Sequence, residues 1–173
     1  MFVLQTLASY QAISVSLLAN ALDFLSDAAN YGISLFVLGM SLKAKANASL
    51  IKGISLGMVG LWVAYETLLH ALEPRLPVPL IMTLVSVLGL AVNVACAVLL
   101  YKYRGGDSNR RSVWICSRND AIGNIAVMFA AGAVAFTATA WPDIIVATIL
   151  AYLALSGAWQ IIRQALREKR LNM

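Results

Sequence analysis

Residues 13–34 read ISVSLLANALDFLSDAANYGIS, and this stretch decides the fold. It is apolar enough to enter a bilayer, yet Asp23 and Asp27 stand near its middle. On insertion scales an acidic side chain at the bilayer centre costs about 2.5–3.5 kcal/mol, so two of them require a compensating partner. Spaced four apart, they share one helix face and lie about 6 Å from each other along the axis. At that separation two carboxylates repel unless protons or a cation lie between them. The rest of the chain is therefore read as the housing of that pair.

Working outward, the whole composition fits a membrane protein. Of 173 residues, 61% are hydrophobic and only 12% are charged, and the mean hydropathy is +0.80. That lies far from the soluble norm. No polar block is long enough for a separate soluble domain. The expected fold is an all-α, polytopic transmembrane helix bundle, with five full spans and a short N-terminal first helix. The spans are placed at about residues 14–42, 48–72, 80–101, 113–139 and 144–162, after an apolar opening over residues 1–10 that is about half a span long. The three prolines of Pro74, Pro77 and Pro79 end one helix and begin another. The polar run Gly105 to Arg111 reads as a solvated connection, and Trp141-Pro142-Asp143 as a tight turn. The domain division is residues 1–167 for the membrane domain and 168–173 for a short basic tail.

The basic residues orient the bundle. All 13 lysines and arginines except Arg75 fall on one side of this alternation. By the positive-inside rule that side is cytoplasmic, together with the C-terminus, and the expected location is a bacterial inner membrane. The net charge of +5 comes in short clusters between apolar runs, which favours orientation in a membrane over a nucleic-acid footprint. Cys96 and Cys116 lie in apolar helical runs, so no disulfide framework is expected. No signal peptide is read at the start of the chain.

Four acids fall within spans: Asp23, Asp27, Glu66 and Asp120. Cys116 precedes Asp120 by four residues and Asn124 follows it by four, all on one stripe. Helix two thus offers Asp-x3-Asp and helix five Cys-x3-Asp. Facing each other, they would present three carboxylates and one sulfur, a set suited to tetrahedral zinc or cadmium rather than to magnesium or calcium.

Those two segments, SLLANALDFLSDAANYGISLF and WICSRNDAIGNIAVM, resemble the cation diffusion facilitator transporters. The similarity covers essentially the whole chain. In that family the second and fifth of six membrane helices carry paired metal ligands at i and i+4. The resemblance places them at Asp23, Asp27, Cys116 and Asp120. It implies export of Zn²⁺ or a Cd²⁺-like ion from the cytoplasm in exchange for protons, by a homodimer using alternating access. The metal is cargo, and no prosthetic group is expected. The family usually has His where Cys116 stands, which opens the choice of metal toward a softer ion. The first helix is expected to be short through truncation or degeneration. The soluble domain that many members carry after helix six, and the histidine-rich loop of some zinc exporters, are expected to be missing.

Other features are read more plainly. Asn20, Asn30, Tyr31 and Asn124 flank the acids at helical spacing, either orienting a carboxylate or bonding between helices. Glu66 and His70 read as a solvated polar pair near the non-cytoplasmic interface. Gly53, Gly57 and Gly60 form a small-residue face that serves either a dimer contact or packing within one subunit. Cys96 reads as packing, and the four tryptophans in part as interfacial anchors. An enzyme is not expected, since His70 is the only histidine and no metallopeptidase motif is present. The competing function is a non-transporting membrane interaction subunit, or a relic of a transporter.

Overall fold

The computed structural model describes residues 1–37, 39–101 and 108–171; within them the side chains of Ser34, Leu42, Lys43, Lys45, Leu100 and residues 108–119 and 171 lie outside the description. The described residues form six α-helices: α1 (Phe2–Ala12), α2 (Val15–Phe36), α3 (Leu42–Leu72), α4 (Pro79–Tyr101), α5 (Ser108–Thr137) and α6 (Trp141–Leu171). Among the described residues, four helical segments are long and apolar enough to cross a membrane: Ala46–Leu72, Pro79–Leu99, Asp120–Thr137 and Trp141–Arg170. At 22 residues, α2 also has the length, about 33 Å at 1.5 Å per residue. Asn20, Asp23, Asp27 and Asn30 keep it out of the apolar set. The 11 residues of α1 reach about 16 Å.

The bundle is apolar outside and carries buried polar side chains among its apolar core. Phe136, Phe129 and Leu35 are largely exposed, while Gln5, Ser16, Ser86, Asn93, Asn124 and Asp143 are buried. In water this distribution would be costly, but in lipid it puts the apolar side chains against the solvent. On α4 the buried stripe is Met82, Ser86, Gly89 and Asn93, at helical spacing, and Leu80, Leu84, Leu88 and Val98 face outward.

Several boundaries differ from the sequence reading for local reasons. α3 starts at Leu42, six residues earlier, because the Ser41 hydroxyl caps it by accepting from Ala44 N at 3.4 Å. α5 begins at Ser108, so the end of the expected polar connection is the first turn of a helix; residues 102–107 of that connection lie outside the described residues. α6 does not stop at residue 162 but runs to Leu171. Gln164 Nε2 donates to Glu168 Oε1 at 2.9 Å, Ala165 is buried, and Lys169 and Arg170 in the last turn suit the negative end of the helix.

α3 lies along α6, α4 lies along α5, and α2 touches α1, α3, α5 and α6. The small face of α3 is used inside the chain. An added Cβ on Gly53 would lie 2.7 Å from Ile162, and one on Gly60 3.0 Å from Leu155, both on α6. The α1–α2 turn is sharp. Ile13 adopts the left-handed conformation (φ 54°), unusual for a β-branched residue. Ser14 N bonds to Ser9 O at 3.0 Å, and Val78 N to Ala12 O at 2.8 Å, holding the turn in place.

Candidate ion site

The N-terminus of α2 is fixed by a residue that the sequence reading left in a turn. Asp143 belongs to the first turn of α6 and is fully buried. Its carboxyl accepts from the Ser14 hydroxyl at 2.6 Å, the Ser16 hydroxyl at 2.5 Å, Val15 N at 2.8 Å and Ser16 N at 3.4 Å. It therefore occupies the positive end of α2 and satisfies two of that helix's free N–H groups. The reading of Trp141-Pro142-Asp143 as a tight turn is corrected: the three residues open α6, and the Asp143 side chain joins two helix starts.

Held in this way, α2 presents its polar face to a cavity of 390 Å³ between α2, α3, α5 and α6. Asp23, Asp27 and Asp120 all line it, with Asn20, Ser26, Asn30 and Gln160 as further polar groups. Asp120 reaches this cavity from α5, across from Asp23 and Asp27 on α2. The structure thus brings together the acids of α2 and α5 that the sequence placed on two facing stripes. Glu66, the fourth acid read within a span, lies elsewhere. It shares a separate cavity with His70, Glu73 and Arg75, and the His70 Nδ1 atom pairs with the backbone oxygen of Glu66 at 3.0 Å.

The neighbours expected to flank the acids make definite bonds. The Tyr31 hydroxyl donates to Asp27 Oδ2 at 3.2 Å. Asn20 Nδ2 donates to Asn124 Oδ1 at 2.7 Å, joining α2 to α5, and Asn124 Nδ2 donates to Asp120 O at 2.9 Å. Of the two readings left open by the spacing, Tyr31 orients a carboxyl, whereas Asn20 and Asn124 bond between helices. Cys116 lies one turn before Asp120 on α5, and its side chain is outside the described residues. Among the described residues no group of three His, Cys, Asp or Glu side chains is compact enough to hold a metal ion. What the geometry provides is a carboxyl cluster fed from two helices.

Apolar side chains pack at one end of the cavity. One turn before Asp23, Ala19 packs with Val63 and Ala151, supported by Leu22, Ala64 and Leu150. A larger apolar cluster of Ala8, Ala12, Leu17, Met82, Val127, Ala130 and Ala131 fills the bundle on the same side. From there the lining continues past the acids to Asn30 on α2 and Ile161 on α6, toward the ends that carry the basic residues. Sequence reading missed the buried polar residues Gln5, Ser86 and Asn93. Ser86 and Asn93 stand out against the apolar run of α4, whereas Gln5 sits beside Thr6 in a stretch with several polar residues.

A multi-pass helical membrane protein in which half-buried acids of the second and fifth helices line one cavity is the class these observations define. The chain belongs to the cation efflux family: residues 1–168 match the cation efflux transmembrane domain. It is similar to the cadmium, cobalt and zinc/H(+)-K(+) antiporters of Bacillus velezensis, with 23% identity over 95% of this chain, and Bacillus subtilis, with 24% identity over 95%. It also resembles the metal cation efflux system protein CzcD of Cupriavidus metallidurans, with 26% identity over 72% of this chain and 38% of the relative. The chain spans 57% of the length of each Bacillus relative.

Proposed function

We propose that this chain forms the membrane pathway of a secondary transporter that exports a divalent transition-metal cation, Zn²⁺ or a Cd²⁺-like ion, in exchange for protons. The observation that carries the reading is the meeting of Asp23, Asp27 and Asp120 in one cavity. Bound metal and bound protons compete for the same carboxyl oxygens, which couples their movements. In this reading Cys116 is the fourth ligand. Tyr31 holds Asp27 in place, and the Asn20–Asn124 bond sets the spacing of α2 and α5.

The cavity runs toward the basic ends of the helices, which the positive-inside rule makes cytoplasmic. Metal entering there displaces protons from the three acids. Movement of the helices then parts the apolar clusters at the other end, where returning protons release the metal. The names of the Bacillus relatives, which pair cadmium, cobalt and zinc with H(+) and K(+), support such an exchange. The protein is a transporter and not an enzyme, works as a homodimer, and lies in a bacterial inner membrane with its C-terminus in the cytoplasm.

The test is zinc- and cadmium-driven proton flux in proteoliposomes, for wild type and Asp120→Asn. Flux in wild type that vanishes in the inserted variant is expected. Full flux in the variant would remove Asp120 from the site. Folded wild type without flux would favour a non-transporting membrane subunit.

A further inference from the structure

Beside the carboxyl cluster lies a second polar group that the exchange reading does not use. Both amide atoms of Gln5, the Ser86 hydroxyl and the Asn93 amide nitrogen are buried with no hydrogen-bond partner among the described residues. They converge. Ser86, Gly89 and Asn93 share the buried stripe of α4. A Cβ on Gly89 would overlap both Gln5 Nε2, at 2.5 Å, and Asn124 Oδ1. Gly89 therefore lets the amides of α1 and α5 meet against α4. Asn124 in turn bonds Asn20, which lines the carboxyl cavity.

Unpaired polar groups are especially costly in a bilayer, where no solvent reaches them. The chemistry of the set narrows what satisfies it. Gln5 Nε2 and Asn93 Nδ2 are donors and need an acceptor, whereas Gln5 Oε1 needs a donor. A metal cation offers no acceptor, and an anion offers no donor. The side chains of the set, Gln5, Ser86, Asn93 and Asn124, are all uncharged. Water supplies both functions, and an internal water typically bonds about three otherwise unpaired groups.

We propose that Gln5, Ser86, Asn93 and Asn124 hold internal water along the buried stripe of α4, next to the carboxyl-lined cavity. Through this water, α1 and α4 hold the Asn124 side chain, and with it the turn of α5 that bears Asp120. The site stands independently of the transport reading, because it concerns the hydration of the bundle and not the cargo.

Radiolytic hydroxyl labelling of the whole wild-type chain in nanodiscs, read by mass spectrometry, tests it directly. Met82 is fully buried, one turn from Ser86, and methionine reacts readily with radicals formed in adjacent water. Oxidation of Met82 alongside the exposed Met40 is expected; oxidation of Met40 with Met82 silent would overturn the proposal. A second measurement uses thermal midpoints of Gln5→Leu, Ser86→Ala and the double variant. Gln5→Leu should lower the midpoint by about 2–4 °C. Its effect should shrink in the Ser86→Ala background, because both residues share the same water. A midpoint that rises in Gln5→Leu, with additive effects, means that the amides were dry and overturns the proposal. So does a wild-type midpoint that shifts when sodium and potassium are replaced by choline and loses that shift in Gln5→Leu, since the occupant is then a monovalent cation. Failure of Gln5→Leu to fold leaves the labelling of wild type to decide.

Discussion

Replacing Asp143 tests how α2 is held. Its carboxyl accepts four bonds, from two serine hydroxyls and two backbone N–H groups. Hydrogen bonds to a charged group contribute about 1.5–3 kcal/mol each, but they share one residue and do not add. Removing one partner from a buried charged set costs about 3–5 kcal/mol, because the groups left behind stay unpaired. Asp143→Ala strands the hydroxyls of Ser14 and Ser16 and the N–H of Val15 away from water, so it belongs in that range. At about 2–4 °C per kcal/mol for a chain of this size, the thermal midpoint should fall by about 10 °C. Asp143→Asn keeps the shape and one acceptor oxygen but points an amide donor at other donors, so its fall should be about half as large. The assay is loss of the monodisperse gel-filtration peak after heating in detergent. A midpoint for Asp143→Ala within about 1 °C of wild type, or a larger loss for Asp143→Asn than for Asp143→Ala, would refute the reasoning.

The packing of α3 on α6 predicts opposite results for two glycines of the same face. Gly53→Ala places a Cβ 2.7 Å from Ile162 Cγ1 and 3.2 Å from the Ile162 backbone nitrogen, so α6 must shift; a loss of about 1–3 kcal/mol is expected in the heating assay. Gly57→Ala meets only Ala158 Cβ at 3.6 Å, and should be neutral or gain up to about 1 kcal/mol from helix propensity. Tyr31→Phe removes the hydroxyl bonded to Asp27. A net hydrogen bond of about 0.5–1.5 kcal/mol corresponds to a roughly 2- to 12-fold weaker KM for Zn²⁺ in flux assays, with the thermal midpoint unchanged. An unchanged KM would separate Tyr31 from the site.

The sequence carried the bundle and the acids well because both are local signals. Long apolar runs imply helices whatever their neighbours, and Asp23, Asp27 and Asp120 are conspicuous against such a background. Helical spacing then placed Tyr31 beside Asp27 and Asn124 beside Asp120, as the hydrogen bonds bear out. What escaped depends on distant contacts. Asp143 follows a tryptophan and a proline and reads as a turn residue; its role comes from serines 127 and 129 positions away. The small face of α3 was equally compatible with a second subunit or with α6, since glycine spacing shows that a helix can come close but not which helix does. Helix ends were misplaced where a side-chain cap or a charged last turn prolonged them, as at Ser41 and at Lys169 and Arg170.

α2 joins these threads. It is the long helix with too many polar residues to count as a span by composition, yet it touches four of the other five helices. A segment carrying two acids and two asparagines is not expected to remain in lipid on its own. Here its N-terminus is tied to α6 by Asp143, Asn20 is bonded to α5, and Asp23 and Asp27 face a cavity rather than lipid. The helix that holds the carboxyl cluster is thus kept in place by contacts made largely through polar groups. Polar contacts between helices in membranes are individually modest, averaging about 0.6 kcal/mol. A helix secured by several such contacts can exchange them one at a time, whereas one packed only by large apolar side chains must lose an entire interface to move. That physical property is what a site exposed alternately to two sides of a membrane requires.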